Sequence, residues 1–139
     1  MNGLIIREPW LGKILSGSKT WEMRTKPTSY RGLLGIIRKG TGHVVAVAEL
    51  VDSPPALDQA AFAAARHKHG IQANMDAEVL KAGWVCPWVL RNVRRLRQPV
   101  LAGQKSGQVI WVPLSVEAEA AVVAQTGSDR LEGVLEGVQ

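Results

Sequence analysis

The sequence predicts an α+β domain: a small mixed or antiparallel sheet or a small β-barrel, with short helices at its rim. Three observations predict it. Segments of strand character recur in the order strand, helix, several strands, a helical insert, then strands again. The 139 residues are the size of one domain. The composition, 46% hydrophobic and 21% charged, suits a globule that folds without disulfide staples. Fourteen glycines and seven prolines spread along the chain exclude a long coiled coil.

Leu4-Ile5-Ile6 is a short apolar run of strand character. In Glu8 to Gly17, Pro9 suits a first helical position and Gly17 the residue just past a helix end. Leu11, Ile14 and Leu15 share one face of that helix, with Trp10 at its N-terminal edge. Residues 18–24 alternate: Trp21 and Met23 point one way, Thr20, Glu22 and Arg24 the other. This predicts a strand with an apolar face inward and a charged face outward. Thr25 to Arg31 is a loop, Gly32 to Arg38 a buried strand and Gly40-Thr41-Gly42 a turn. His43 to Val51 is the clearest strand, stopped by Pro54-Pro55.

Residues 56–83 have helical character, with Asp58 as a cap and a break at Gly70. Trp84 to Leu96 returns to strand, which Pro99 is expected to end. Gly103 to Gly107 reads as a basic turn and Gln108 to Val112 as a last strand. Glu117 to Ala124 has helical composition. Thr126 to Gln139, with three glycines and few large apolar groups, is expected to fray. The expected organisation is one domain over 1–113, then a short helix and a flexible acidic tail over 114–139.

Cys86 is the only cysteine, which excludes an intramolecular disulfide and any zinc site needing two thiolates from this chain. Within Trp84-Val85-Cys86-Pro87-Trp88 it reads as a small buried hydrophobe, suited to a reducing compartment. Leu4-Ile5-Ile6, followed at once by Arg7 and Glu8, is too short for a targeting segment, so none is expected, and no apolar run approaches the ~18–20 residues that span a bilayer. A cytoplasmic location, away from membranes, is the expectation. His67 and His69, two apart, do not share a helix face, and no carboxylate cluster adjoins them or His43. Neither metal nor cofactor is expected.

Charge divides unevenly. From Pro113 onward Arg130 faces Glu117, Glu119, Asp129, Glu132 and Glu136, so the tail is −4 and the body +9 within a net +5. A small basic body suits a polyanionic partner such as nucleic acid. Between Arg7 and Arg31, cations interleave with aromatics: Arg7, Trp10, Lys19, Glu22, Arg24, Lys26, Tyr30, Arg31. That pattern suits stacking on bases and neutralising phosphates. Glu22 and Arg24, two apart on one strand face, are placed to pair, leaving Lys19 at the bend as a free cation, either a base or an anion holder. The alternative is a solvated charged face. Trp21 and Trp111 are expected in the core, and Trp10, Trp84 and Trp88 are candidates for a cleft wall or for core packing. A second cluster holds Arg91, Arg94, Arg95, Arg97 and Lys105. Regular alternation puts Arg91, Arg95 and Arg97 on one side, either as a phosphate-tracking stripe or as a charged edge that blocks sheet pairing.

Gly17-Ser18-Lys19-Thr20-Trp21-Glu22-Met23-Arg24 resembles the G-x-K-x-x-E-x-R signature of the ASCH family. It follows a helix entered through Arg7-Glu8-Pro9-Trp10. Tyr30-Arg31-Gly32, the strand Val45 to Val51, Trp88-Val89-Leu90 and Val109 to Val112 are also similar, so the resemblance spans roughly residues 3 to 113. It implies a PUA-like β-barrel whose signature residues line a cleft beside the barrel mouth. It also implies RNA or modified-nucleoside ligands, and for some members ribonuclease activity or removal of an acetyl group from the exocyclic amine of cytidine. In that amidohydrolase branch the signature lysine is catalytic, helped by a threonine three residues later and a glutamate beyond the central strands. Here the lysine is Lys19, and Glu22 stands where the threonine would be. Glu78 is the only glutamate in 56–83, with Asp76, His67 and His69 as stand-ins.

The expected function is binding of RNA or a modified nucleoside in a cleft between the first helix, the Lys19 bend and the barrel mouth. Lys19 is its polar centre. Glu22 pairs with Arg24 or receives a donor from a base edge. Arg7, Arg24 and Arg31 hold phosphate or orient Glu22, and Trp10 stacks, with Tyr30 nearby. Two other expectations stand beside it. One is a hydrolase of acylated nucleosides or of RNA, with Lys19 activating water and Glu22 positioning it. The other is a protein-interaction module for an acidic partner.

Overall fold

The structure, a computed structural model, describes residues 1–103 and 110–138, with 128–138 described by their backbone alone. Six strands form one sheet: β1 (Asn2–Ile6), β2 (Trp21–Arg24), β3 (Gly32–Arg38), β4 (His43–Asp52), β5 (Cys86–Leu101) and β6 (Trp111–Pro113). Their order is β2-β5-β4-β3-β1-β6. β1 runs parallel to β3, and every other pairing is antiparallel. Helix α1 (Trp10–Ser16) joins β1 to β2. Helices α2 (Gln59–Ala64), α3 (Arg66–His69) and α4 (Asp76–Ala82) form the insert between β4 and β5, and α5 (Val116–Val138) follows β6. No helix among the described residues is long and apolar enough to cross a membrane.

Both faces of the sheet are covered. On one, Leu4, Ile36, Ala46, Ala48, Leu50, Trp88 and Leu90 pack with Leu11 and Ile14 of α1. On the other, Ile37, Val44, Val47, Leu96 and Val112 pack with Leu114 and with Ala118 and Val122 of α5. The expected alternation is visible at Ile36/Ile37 and Ala46/Val47, whose neighbours enter opposite clusters. The sheet curls until β6 meets β5. Trp111 of β6 stacks on Trp88 of β5, with ring centroids 5.5 Å apart and planes at 15°, and Tyr30 packs at 4.9 Å on the same Trp111. The Trp88 indole N–H donates to the Lys26 carbonyl at 2.9 Å.

Several expectations need correction. β5 does not stop at Pro99 but continues to Leu101. Its register against β4 shifts between Val44 and Ala46, and Pro99 falls inside that irregularity, where a missing N–H costs no ladder bond. Asn92 sits at φ 54, and the register shifts again between Val47 and Glu49. Arg95 therefore lies opposite Ala46, whereas Arg91 lies opposite Glu49 on the other face of the sheet. The stripe of Arg91, Arg95 and Arg97 is thereby broken. Trp21 and Trp111 are half-buried, not enclosed. Pro9 is the residue before the helix, one position earlier than expected. The chain beyond Thr126 continues as α5, and Leu114, Ala118 and Val122 belong to the core. The basic turn beyond Gly103, with Lys105, and the start of the last strand at Gln108 and Val109 lie outside the described residues.

Candidate functional site

The site begins where α1 ends. Gly17 adopts φ 86, a left-handed conformation that glycine takes without a Cβ penalty, and its N–H caps the Ile14 carbonyl. The chain reverses there and delivers Lys19 inward. Its backbone is pinned on both sides, because Lys19 N donates to the Lys13 carbonyl (3.1 Å) and Thr20 N to the Lys68 carbonyl (2.9 Å). The charged face of this bend is thus buried, contrary to the outward orientation the alternation suggests: Lys19 is 2% exposed and Glu22 5%. The helical insert covers Lys19 through its bond to His69, while Glu22 faces the core side of the sheet opposite Trp88. A third core cluster joins Met23 to Phe62 and Ile71.

Lys19 is not a free cation. Its Nζ donates to the His69 carbonyl at 2.6 Å, stands 3.9 Å from Glu22 Oε1 and lies 5.3 Å from the Trp10 ring centre. Burial lowers its pKa from 10.5 to about 8. Glu22 opposes that shift, while Lys13 and Arg24 add to it. Neutral Lys19 is therefore far more accessible near neutral pH than a solvated lysine would be. Glu22 and Arg24 pair as the sequence suggests. Arg24 Nε and Nη2 both donate to Glu22 Oε2, at 3.1 and 2.8 Å, and Nη2 also donates to the Ile5 carbonyl at 2.8 Å. The guanidinium lies 5.5 Å from the Trp88 ring centre. Glu22 Oε1 accepts no hydrogen bond among the described residues and remains directed toward Lys19.

His69 holds the carbonyl that holds Lys19. Its ring is buried and stacked on Phe62 at 4.2 Å. Nδ1 accepts from Ile71 N at 3.0 Å, which leaves Nε2 to donate to the Phe62 carbonyl at 2.8 Å. Burial lowers its pKa, so the ring is a neutral strut. Asp76 is committed as well: Arg66 grips it through both guanidinium nitrogens, at 3.0 and 2.7 Å, and holds its carboxyl below the usual range. Of the acidic alternatives in the insert, Glu78 alone lines the cleft.

The cleft is about 500 Å³, within the ~300–1,000 Å³ of small-ligand sites. Its floor is Lys19, Glu22, Met23 and Arg24, with Ile5 beside Arg24. Trp10 forms one wall. A further stretch of wall is one face of α4 and its lead-in, Met75, Glu78, Val79 and Ala82, continued by Trp84. Arg7, Lys39 and Gly40 form the rim.

Of the residues proposed from sequence, Arg7, Trp10, Lys19, Glu22 and Arg24 come together here. Trp10 holds cations, with Lys13 and Lys19 ammonium groups 5.4 and 5.3 Å from its ring. Tyr30 and Arg31 lie elsewhere. The Tyr30 hydroxyl donates to the Leu33 carbonyl, and Arg31 donates to the carbonyls of Thr28 and Tyr30. Arg91, Arg95 and Arg97 are exposed on β5 and do not line the cleft. Trp88 is core. Trp84 and Glu78, both candidates in the sequence, also line the cleft, whereas Lys39 and the apolar positions of the α4 face went unrecognised. The signal for α4 was the helical spacing of 75, 78, 79 and 82, an apolar stripe containing one glutamate.

The sequence profile of the ASCH domain matches residues 4–118. An ASCH protein from Zymomonas mobilis is structurally similar at a TM-score of 0.69 and 15% identity, over 88% of this chain and 93% of that one. Two single-substitution mutants of the same protein give 0.69 at 14% identity, covering 88% and 94%, and 0.70 at 13%, covering 88% and 96%. No curated protein matches the chain.

Proposed function

The chain belongs to the ASCH domain family and has its PUA-like fold, and from that premise we propose that the cleft binds RNA or a modified nucleoside. The observation that carries this reading is the floor of the cleft. A buried lysine, a carboxylate with one oxygen uncommitted and a forked arginine converge beneath an aromatic wall. Such a floor offers donors and an acceptor to the polar edge of a base, and the wall offers a surface for its face. Lys19 serves as donor or anion holder. Glu22 Oε1 accepts from an exocyclic amine, and Arg24 fixes the carboxylate plane.

A second reading, hydrolysis of an acylated nucleoside or of RNA, is favoured by one specific observation, the burial that brings Lys19 to about 8. In amide hydrolysis neutral Lys19 takes a proton from water as the oxygen adds to the carbonyl. The ammonium so formed returns a proton to the departing amine, while Glu22 orients the water.

The test compares wild type with Lys19→Ala on a panel of nucleosides including acetylcytidine and on short single-stranded RNA, following both retention and product. Retention without product, weakened by the substitution, supports binding. Product from the wild type alone supports hydrolysis. Neither retention nor product would refute both and point the basic body to an acidic protein partner.

A further inference from the structure

The two sides of the cleft differ in chemistry. On the α4 side Met75, Val79, Ala82 and Trp84 are apolar. Trp84 remains 39% exposed, and among the described residues its ring meets neither another ring nor a cation. Trp10 differs, since Lys13 and Lys19 already lie against its ring. Trp84 is therefore the aromatic surface left open to a planar ligand. The single charge on this side, Glu78, is negative.

The other side is cationic. Lys39 N donates to the Ile6 carbonyl at 3.1 Å, which sets residue 39 beside residue 7 at the mouth. Both side chains are exposed. Other cations near the cleft are already engaged. Arg24 binds Glu22, Arg38 binds Glu8, Arg66 binds Asp76, and Lys13 donates to the Gly70 carbonyl at 2.6 Å. The side chains of Arg7 and Lys39 have no acidic or hydrogen-bonding partner among the described residues. Gly40 follows at φ 87, and a Cβ built there would meet nothing within 4 Å, so the backbone beside the two cations is open.

We infer that Arg7 and Lys39 form a phosphate subsite, and that the cleft takes a nucleotide with its base on Trp84 and its phosphate at the rim, in preference to the free nucleoside. This rests on the nucleic-acid reading of the cleft and adds a direction to it. Phosphate is drawn to Arg7 and Lys39 and repelled by Glu78, so the ligand lies across the floor in one orientation. The phosphate could belong to a mononucleotide or to a phosphodiester, because both present the same anionic oxygens.

The test is calorimetric titration of the full chain with the four ribonucleosides and acetylcytidine, each with and without a 5′-phosphate, and with a short single-stranded oligoribonucleotide. The preferred base is expected to bind about tenfold or more tightly with its phosphate. Lys39→Ala and Arg7→Ala each bring that ratio toward one, and Trp84→Ala weakens nucleoside and nucleotide alike. If the oligonucleotide shows the gain and the mononucleotide does not, with the same loss in Lys39→Ala, the source is a phosphodiester. Equal affinity for nucleoside, mononucleotide and oligonucleotide overturns the phosphate subsite and leaves the nucleoside reading standing. Binding of none of them overturns both.

Discussion

Replacing Lys19 with methionine isolates the energetic consequence of burying an ammonium group. In the folded chain Lys19 loses its proton near pH 8, whereas in the unfolded chain it does so near 10.5. At about 1.36 kcal/mol per pH unit, the gap corresponds to about 3 kcal/mol. The sign follows from proton counts. Between about pH 8 and 10.5 the unfolded chain holds a proton that the folded chain has lost, so stability rises with pH. Below about 8 both states are charged and the whole penalty stands; above 10.5 it is gone. Lys19→Met abolishes this dependence and keeps the apolar stem. It also removes the 2.6 Å bond to the His69 carbonyl, at a cost of about 1–3 kcal/mol. At pH 7 the two effects largely offset, so the variant's stability should fall within about 2 kcal/mol of wild type. Its pH profile should differ clearly. Urea unfolding at half-unit steps from pH 7 to 10.5, followed by tryptophan fluorescence, should show the wild type gaining about 3 kcal/mol relative to the variant. Parallel profiles would refute the reasoning, since they would mean that Lys19 titrates at the same pH folded and unfolded.

Three further outcomes are expected. Glu22→Gln removes the anion 3.9 Å from Lys19, a Coulomb interaction of about 1–4 kcal/mol between effective dielectrics of about 80 and 20. The Lys19 midpoint then falls below about 8, as read from its side-chain NMR shifts against pH, and an unmoved midpoint contradicts the coupling. Arg24→Lys substitutes a point charge for a fork that serves Glu22 and the Ile5 carbonyl together, so stability drops by about 1.5–3 kcal/mol in chemical unfolding; an unchanged midpoint would show the fork to be dispensable. Phe62→Ala empties a fully buried position under the His69 ring and costs about 3–5 kcal/mol, and in whatever folds the Lys19 titration moves back toward 10.5 as water reaches it. A destabilised variant with an unshifted Lys19 would separate the Phe62–His69 stack from the site.

The fold was legible where local chemistry dictates it. Gly17 had to end α1, Asp58 does cap α2 by accepting from Ala61 N at 2.7 Å, and the strands at Gly32–Arg38 and His43–Asp52 stand close to where their β-branched runs put them. The misreadings arose from tertiary context. Alternation at Glu22 signals a polar face but does not reveal that this face turns toward Trp88 and the core. One residue at positive φ, Asn92, turned a row of arginines into charges on opposite faces. Pro99 reads as a stop only if its strand keeps a regular ladder. The central trio of Lys19, Glu22 and Arg24 was legible because it lies within six residues of sequence. Trp84 and Glu78 were legible as candidates, but the apolar face of α4 was not, because it reaches the cleft only after the chain has folded back, and Lys39 is set beside the cleft by a backbone bond to Ile6.

The placement of β1 has a consequence for the order in which the molecule assembles. Of the six strands this one is made first, yet it lies between β3 and β6, and its pairing of Leu4 with Trp111 waits for almost the whole sheet to be synthesised. β2 likewise pairs only with β5, across the entire insert. Contacts of such long separation favour slow, late closure over stepwise local growth. Arg24 ties the two events together, since it stands on β2 and donates to the Ile5 carbonyl of β1. The cleft floor therefore forms only when the first strand and the fifth have both docked, and a nascent chain released before β5 is made carries the signature residues without the site they build.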